Sequence, residues 1–350
     1  MSDLLFSAQV YFMIGLFIFI IKRKSWVAVA FYILILFTAL HVRYSAMVFP
    51  FALIPFFLMK KGKIRWVVVL LSIFVFHTFY SQIKKSMKET TGIEQFSTGF
   101  DGWNYINNVL YVLPHIDLKV ENLKFPKLKE LHTFIMNDMD TIKSVINSDV
   151  RVSTIILWDP NLTLKQYLFK TMQEKQASYL PTFVKLGSGL YKDYAFYVMM
   201  HYPFSYIRYY CLPNFVQTFY PSPGCLPNAD VEKHKEIYEY YEIEEENAML
   251  PKYDVLKSPH YHFTMKMLHL ITWAIIIGIG IAAIVKRKKL VFSFDDKVVF
   301  WGMLAFAVIY YASSIFAAAM EIRYTISMHA IQFAFCYILL NKLVGNQKKS

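Results

Sequence analysis

Long apolar runs that end in short basic clusters are the feature that most restricts how this 350-residue chain can fold. A run of about 20 apolar residues is long enough to cross the hydrocarbon core of a bilayer as a helix. Lipid offers no partners for backbone polar groups, so open loops and sheet edges are excluded there. With 56% hydrophobic and only 18% charged residues, the chain is too apolar for an ordinary soluble domain. The sequence therefore predicts a mainly α, polytopic membrane protein.

About seven spans are predicted from these runs, four before the central region and three after it. The runs cover about 4–21, 26–42, 46–59, 64–82, 264–285, 298–320 and 325–340. The third run is short and contains Pro50 and Pro55, so a kinked or partial crossing is predicted there. The predicted domains are an N-terminal membrane block (1–82), a central α-rich region (83–263) and a C-terminal membrane block (264–350).

Basic clusters predict the orientation of the spans, because short loops rich in Lys and Arg remain in the cytoplasm. Four such clusters occur, at 22–24, 60–65, 286–289 and in the tail 342–350. Seven crossings place all four inside an inner (cell) membrane, with a cytoplasmic C-terminus and an extracytoplasmic central domain. Lys84, Lys85 and Lys88 then lie outside, which long external domains tolerate.

The net charge of +12 lies largely at the ends of the apolar runs. That distribution is typical of topology signals and of contacts with anionic headgroups. It predicts membrane lipids as partners and argues against nucleic acid.

Two similar polar stretches interrupt the apolar sequence and are predicted to lie at the same outer face. They are His41-Val42-Arg43-Tyr44-Ser45 and Glu321-Ile322-Arg323-Tyr324-Thr325. An ionisable group in a membrane segment is costly, and an Arg guanidinium suits the geometry of a phosphate. We therefore predict a lipid-phosphate site formed by Arg43, Tyr44, Glu321, Arg323 and Tyr324. The alternative is that the arginines extend to ordinary headgroups, the tyrosines form an interfacial belt, and Glu321 is an ion-pair partner.

A family resemblance rests on several of these residues. Residues 2–6 open a span, and residues 41–50 follow a basic turn. Together they look like the middle of the bacterial integral-membrane glycosyltransferases of the GT-C superfamily, of the dolichyl-phosphate-mannose mannosyltransferase-like type. The stretch 321–324 is similar to the late E-x-R-Y element of that family. Further similarity involves Gln95-Phe96-Ser97, Gly102-Trp103, Asn107-Asn108 and His201-Tyr202-Pro203.

The resemblance implies a polyprenyl-phosphate-linked sugar donor and sugar transfer at the extracytoplasmic face. It covers only the later two thirds of the family's pattern. The family's acidic catalytic residue, in the first external loop, has no counterpart here, so no catalytic residue is assigned and enzyme activity is left open. A shortened glycosyltransferase is one hypothesis. A non-catalytic remnant or subunit that binds lipid-linked sugar beside a partner subunit is a second.

A transporter is the least favoured hypothesis, since the spans carry no Asp, Glu, Lys or Arg in mid-membrane. No metal or other cofactor is predicted, because His260 and His262 lack further ligands at metal-binding spacing.

The central region offers weaker local signals. Residues 151–159 have β-like character, whereas 164–180 predicts one amphipathic helix between two prolines. The tyrosine-rich segment 191–219 favours helices that lie against the membrane interface. The acidic run 232–246 is typical of a solvated helix. An oxidising compartment would allow Cys211 and Cys225 to pair.

Overall fold

The structure of the protein is a computed structural model, and it describes residues 2–49, 62–97, 99–148, 152–221, 259–286, 290 and 292–345. It is 84% helical, and no strand occurs among the described residues. The predicted mainly α class is confirmed.

Six long helices occur in the two parts of the chain predicted to form membrane blocks. In chain order they are α1 (Ser2–Arg23), α2 (Trp26–Val42), α3 (Lys63–Thr91), α13 (Pro259–Val285), α14 (Phe294–Ala317) and α15 (Ile322–Gly345). Four of them, α1, α3, α13 and α14, are long and apolar enough to cross a membrane. Helix α2 and residues Ile331–Val344 of α15 are shorter apolar helices. Most of the predicted third run, 46–59, lies outside the described residues.

The N-terminal helices form a bundle with part of the C-terminal block. Ser25 caps the start of α2, where its hydroxyl oxygen accepts a bond from the Ala28 N–H at 3.3 Å. Helix α1 packs against α2, α14 and α15, and α2 packs against α3. Their shared core is apolar and aromatic; its fully buried members include Phe6, Phe17, Tyr32, Leu36, Phe79 and Tyr310.

One end of this bundle is fixed by a carboxylate. Asp296, in the first turn of α14, contacts the Lys22 ammonium at 3.2 Å and the Lys342 ammonium at 2.7 Å. These lysines belong to the last turns of α1 and α15, where positive charge also suits the helix dipole. The basic residues that end α1 and α15 therefore lie at the same end of the bundle.

Nine short α-helices lie in the described part of the central region. They are α4 (Phe100–Leu110), α5 (Pro126–Asn137), α6 (Met139–Ser148), α7 (Ile155–Trp158), α8 (Thr163–Lys175), α9 (Tyr179–Leu186), α10 (Lys192–His201), α11 (Pro203–Tyr206) and α12 (Leu212–Gln217). Wider, π-type turns at Gly187–Tyr191 and Ile207–Cys211 join α9 to α10 and α11 to α12. The core of this domain surrounds Trp103, which stacks on Phe183 at 4.5 Å between ring centroids.

The β-like interpretation of 151–159 is wrong, because Ile155–Trp158 form one turn of helix. Ile156 and Leu157 are fully buried there. Branched apolar residues also suit a buried helical turn. A run this short does not distinguish the periodicity of a helix from that of a strand.

The single helix predicted for 164–180 is two helices. Gln176 ends α8 in the left-handed conformation at φ 48°. Pro181 lies in the first turn of α9 instead of terminating the preceding helix. A proline is accepted in a first turn because its missing N–H has no intrahelical partner at that position.

The tyrosine-rich segment 191–219 has two chemically different sides. Tyr194, Tyr206 and Tyr210 are buried in the domain, and burial raises the pKa of each of their hydroxyls. The other side exposes Phe204 and, along α12, further apolar residues. The exposed apolar members lie on α10, α11, α12 and the π-type turn between α11 and α12; they are Phe196, Met200, Phe204, Ile207, Leu212, Phe215 and Val216. A helical segment with one such side is typical of contact with lipid at an interface.

Candidate functional site

The two polar stretches singled out in the sequence meet in the structure. The Arg43 guanidinium carbon lies 5.2 Å from the centre of the Tyr324 ring and 5.7 Å from the Phe6 ring. Both distances are within the range of cation–π attraction. The meeting point is at the opposite end of the bundle from Asp296, because α1 begins beside it and α15 starts there. Segments almost 300 residues apart therefore form one site.

The position of Arg43 follows from the end of α2. Arg43 is the first residue beyond the helix and is extended, with φ −151° and ψ 134°. Its N–H still donates to the Ala39 carbonyl at 2.9 Å, and its carbonyl accepts from the Ala46 N–H at 3.0 Å. The guanidinium is thus held at the end of the bundle, next to rings contributed by α1 and α15.

The second stretch is placed by the start of α15. Glu321 immediately precedes this helix, and its carbonyl accepts a bond from the Tyr324 N–H at 3.0 Å. A carboxylate in this position suits the positive end of the helix dipole. Thr325 is fully buried. The side chains of Tyr44 and Arg323 lie outside the described part of the structure, so their predicted roles stay predictions.

A shallow cleft of about 230 Å³ opens beside Arg43. Arg43 and His41 are its polar residues, and the remaining walls are apolar; they are Leu40, Val42, Phe79 and Ile83. The His41 ring lies against Phe37 and Phe79, with its Nδ1 atom 2.8 Å from the Phe37 carbonyl. The cleft combines one cation with an apolar wall, which suits an anionic group attached to a hydrocarbon.

Helix α3 extends well beyond the level of this cleft. Its 29 residues correspond to about 43 Å at 1.5 Å per residue, against a hydrocarbon core of about 30 Å. Near its end, Lys84 and Lys88 both contact the Glu94 carboxylate, at 3.2 and 3.4 Å. Bonds to these ammonium groups lower the pKa of Glu94. The last turns of α3 therefore carry a charged, exposed surface.

Three amide side chains of the central domain also belong to the surroundings of the site. Asn108, Asn214 and Gln217 donate to backbone carbonyls between Ile315 and Met320, immediately before Glu321. Only a partial signal for these three residues is present in the sequence, through the resemblance at Asn107-Asn108. An isolated Asn or Gln in an amphipathic helix does not reveal which carbonyl it will meet.

A histidine pair inside the C-terminal block was also missed by sequence reasoning. His269 Nδ1 lies 2.9 Å from His329 Nε2, and His329 Nδ1 lies 2.8 Å from the Gln332 side-chain oxygen. Gln332 donates in turn to the Tyr311 hydroxyl at 2.9 Å. The chain of bonds links α13, α14 and α15. It supplies partners for polar groups that lipid would leave unsatisfied.

Neither the histidine pair nor the Arg43 cleft has the donor set of a metal site. Among the described residues, no group of three or more His, Cys, Asp or Glu side chains converges as metal ligands would. The acidic run 232–246 and Cys225 lie outside those residues, and so do the side chains of His260 and His262. Cys211 is half-buried, and burial raises the pKa of its thiol to about 11.

Comparison of the chain with family models, with curated proteins and with solved structures gives no match.

Proposed function

We propose that this protein binds a polyprenyl-phosphate-linked sugar at the Arg43–Tyr324 site, as a GT-C-like glycosyltransferase. The observation that carries the proposal is the meeting of the two Arg-Tyr stretches in one place. An arginine held at a membrane boundary, beside an apolar cleft, has the chemistry needed to hold a lipid phosphate.

Different groups around the site would contact the phosphate, the polyprenyl chain and the sugar of the ligand. The guanidinium would bond to phosphate oxygens and stabilise the negative charge that develops when the sugar leaves. The nearby Tyr324 and Phe6 rings help to keep the guanidinium in place. Phe79 and Ile83 would contact the first carbons of the polyprenyl chain, and the sugar would face the central domain.

The proposed topology has seven crossings, with the central domain outside and the C-terminus in the cytoplasm. Two features support it. Lys22 and Lys342 lie together at one end of the bundle, whereas Arg43, Tyr324 and the central domain lie at the other. The site would then face the extracytoplasmic leaflet of the inner membrane.

A second candidate function is non-catalytic binding of the same lipid-linked sugar, with a partner subunit supplying catalysis. The described lining of the Arg43 cleft contains no carboxylate that could serve as a base. Glu321 adjoins Tyr324 but is placed where it suits the start of α15.

Binding is tested with purified protein in detergent, using undecaprenyl phosphate as the probe and phosphatidylcholine as the reference lipid. Arg43→Ala should weaken undecaprenyl phosphate binding by about 10- to 100-fold, since charge-assisted bonds contribute about 1.5–3 kcal/mol. Arg43→Lys should lose less, because it keeps the charge. Arg65→Ala is the matched control, because Arg65 lies in the first turn of α3 at the other end of that helix. Equal affinity for the wild type and Arg43→Ala would refute the site.

Transfer is tested separately from binding. Membranes containing the protein receive a radiolabelled polyprenyl-phosphate sugar, and label in a water-soluble or cell-wall product is counted. Arg43-dependent transfer supports the enzyme, with Glu321→Gln showing whether that carboxylate takes part. Arg43-dependent binding without transfer supports the subunit.

A further inference from the structure

The end of α14 and the turn that follows it present buried backbone groups that need partners from elsewhere. A helix leaves its last four carbonyls without intrahelical bonds. Here Ala319 is 2% exposed and Met320 is fully buried, whereas Ala317 and Ala318 are half-buried. An unsatisfied buried carbonyl is destabilising, and several carbonyls lie together in this short segment.

Asn214 of α12 satisfies three of these groups with one side chain. Its amide nitrogen donates to the Ile315 carbonyl at 2.8 Å and to the Ala318 carbonyl at 2.7 Å. Its amide oxygen accepts from the Met320 N–H at 2.7 Å. Asn214 is itself completely buried.

Neighbouring side chains of the central domain complete the set. Gln217 donates to the Met320 carbonyl at 2.7 Å and to the Val152 carbonyl at 3.0 Å. Asn108 donates to the Ala317 carbonyl at 3.1 Å, and Tyr206 donates to the Phe316 carbonyl at 2.8 Å. Burial raises the pKa of the Tyr206 hydroxyl, so it keeps the proton that it donates. Every carbonyl from 315 to 318 therefore has a partner in the central domain.

We infer that Asn214 is a positioning residue, which holds Tyr324 against Arg43 by fixing the turn between α14 and α15. The Met320 N–H donates to Asn214 and the Met320 carbonyl accepts from Gln217. Met320 directly precedes Glu321 in the chain. Tyr324 follows within the first turn of α15. The central domain thereby sets the geometry of a site whose residues belong to membrane helices. The consequence for ligand binding rests on the proposed function, whereas the positioning itself does not.

An asparagine is required at this position because both halves of its amide are used. A carboxylate of the same size accepts from the Met320 N–H but cannot donate to the Ile315 and Ala318 carbonyls. It would also place a buried charge next to two carbonyl oxygens. Asn214→Asp is therefore a near-isosteric change that should release the turn.

The test uses disulfide or short-linker crosslinking in a variant in which Cys211, Cys225 and Cys336 are replaced by serine. One reporter pair is Arg43→Cys with Tyr324→Cys, at the proposed site. The control pair is Lys22→Cys with Lys342→Cys, at the other end of the bundle, where both native side chains contact Asp296. Asn214→Asp should slow crosslinking of the first pair by about tenfold or more and leave the second pair unchanged.

Unchanged crosslinking of the 43–324 pair in Asn214→Asp would overturn the inference. Should both pairs slow together, as in a misfolded protein, Gln217→Leu decides the matter. That variant removes one bond to Met320 without adding a charge. It should slow only the 43–324 pair, and equal rates for that pair in Gln217→Leu and its parent would overturn the inference.

Crosslinking is measured without ligand, so failure of the positioning inference is distinguishable from failure of the proposed function. In the variant with native Arg43 and Tyr324, Asn214→Asp should also weaken undecaprenyl phosphate binding by about tenfold. A change in crosslinking with unchanged affinity would retain the positioning role and refute the lipid-phosphate site.

Discussion

Single charged side chains fix the relative positions of helices in this bundle. Asp296 joins three helices because its carboxylate meets lysines from α1 and α15 while it also caps its own helix. Its side chain accepts from the Ser293 N–H at 3.3 Å, and the Ser293 hydroxyl accepts from the Asp296 N–H at 3.2 Å. One residue thus combines a capping box with two ion pairs.

Replacement of Asp296 by alanine should therefore destabilise the protein by about 2–4 kcal/mol. The change removes the cap and the mostly buried carboxylate that pairs with the half-exposed Lys22 and with Lys342. The measurement is thermal unfolding in detergent, followed by the fluorescence of a thiol-reactive dye. Lys297→Ala, an exposed neighbour on the same turn, is the control and should unfold like the wild type. Similar melting temperatures for both variants would show that the ion pairs contribute little.

The buried His132 gives the central domain a pH dependence. His132 is 2% exposed; its Nε2 atom lies 3.0 Å from the Leu118 carbonyl and its Nδ1 atom 2.7 Å from the Tyr194 hydroxyl. The carbonyl requires the proton on Nε2, so Nδ1 accepts from Tyr194. Burial lowers the pKa of His132 below its ordinary value of 6.5. The folded state therefore holds a neutral ring at a pH where the unfolded chain begins to take up a proton.

This contribution to stability is complete above pH 6.5 and is lost as the pH falls from there through the lowered pKa. The limiting slope for one proton is about 1.4 kcal/mol per pH unit. Thermal unfolding between pH 7.5 and 5 should show a smaller acid-induced loss in His132→Gln than in the wild type. His201→Gln, at an exposed position, should keep the wild-type slope. Parallel curves for the wild type and His132→Gln would contradict the assignment.

Helix α4 and the π-type turn at Gly187–Tyr191 approach each other closely because each has a glycine at the contact. A methyl group at Gly102 of α4 would overlap the Gly187 carbonyl oxygen, and one at Gly187 would overlap the Gly99 carbonyl. The helix and the π-type turn are thus in backbone contact. This contact allows the Trp103 indole N–H to reach the Phe183 carbonyl at 3.0 Å.

Gly102→Ala should destabilise the domain by about 2–4 kcal/mol, as overpacking against backbone does. Gly189→Ala is the matched control, since a methyl group there meets no atom within 4 Å. The measurement is the urea midpoint of tryptophan fluorescence. Equal midpoints for Gly102→Ala and the wild type would mean that α4 can move away at little cost.

Helix boundaries show what local sequence could and could not decide. The ends of α1 and α2 follow from the basic cluster at 22–24 and from Ser25, and they agree with the predicted runs. The break at Gln176 and the helical turn at Ile155–Trp158 were not predicted, because each depends on packing against other helices. Burial of Ile156 and Leu157 in the helical turn outweighs the local preference of a β-branched residue such as Ile156 for a strand.

Across the whole molecule, the proposed topology makes the two ends of the bundle accessible from different compartments. Lys119 is an exposed residue of the central domain, and Lys24 directly follows α1 at the opposite end. In a variant without native cysteines, Lys119→Cys should react with an impermeant maleimide in intact spheroplasts. Lys24→Cys should react only after the membrane is opened. The reverse labelling pattern would invert the topology, and labelling of both sites in intact spheroplasts would contradict it.

Sequence reasoning predicted only part of the candidate site. It placed the two Arg-Tyr stretches at one face of the membrane, with Arg43 and Arg323 as candidates to bind phosphate, but it did not predict the contact between Arg43 and Tyr324. It did not identify Asn214, Gln217 or His269, whose roles depend on groups far away in the chain. Amides and imidazoles gain such roles only from the partner that tertiary structure brings to them.

By itself the sequence determined the helical class, the apolar runs of membrane length and the basic residues that end them. Hydrocarbon burial and backbone hydrogen bonding act locally along a run, so they can be read from its composition and length. Tertiary structure alone decided that Arg43 lies against Tyr324, that one aspartate joins three helices, and that the central domain satisfies the end of α14. These are contacts between distant segments, and their geometry depends on how complete helices pack.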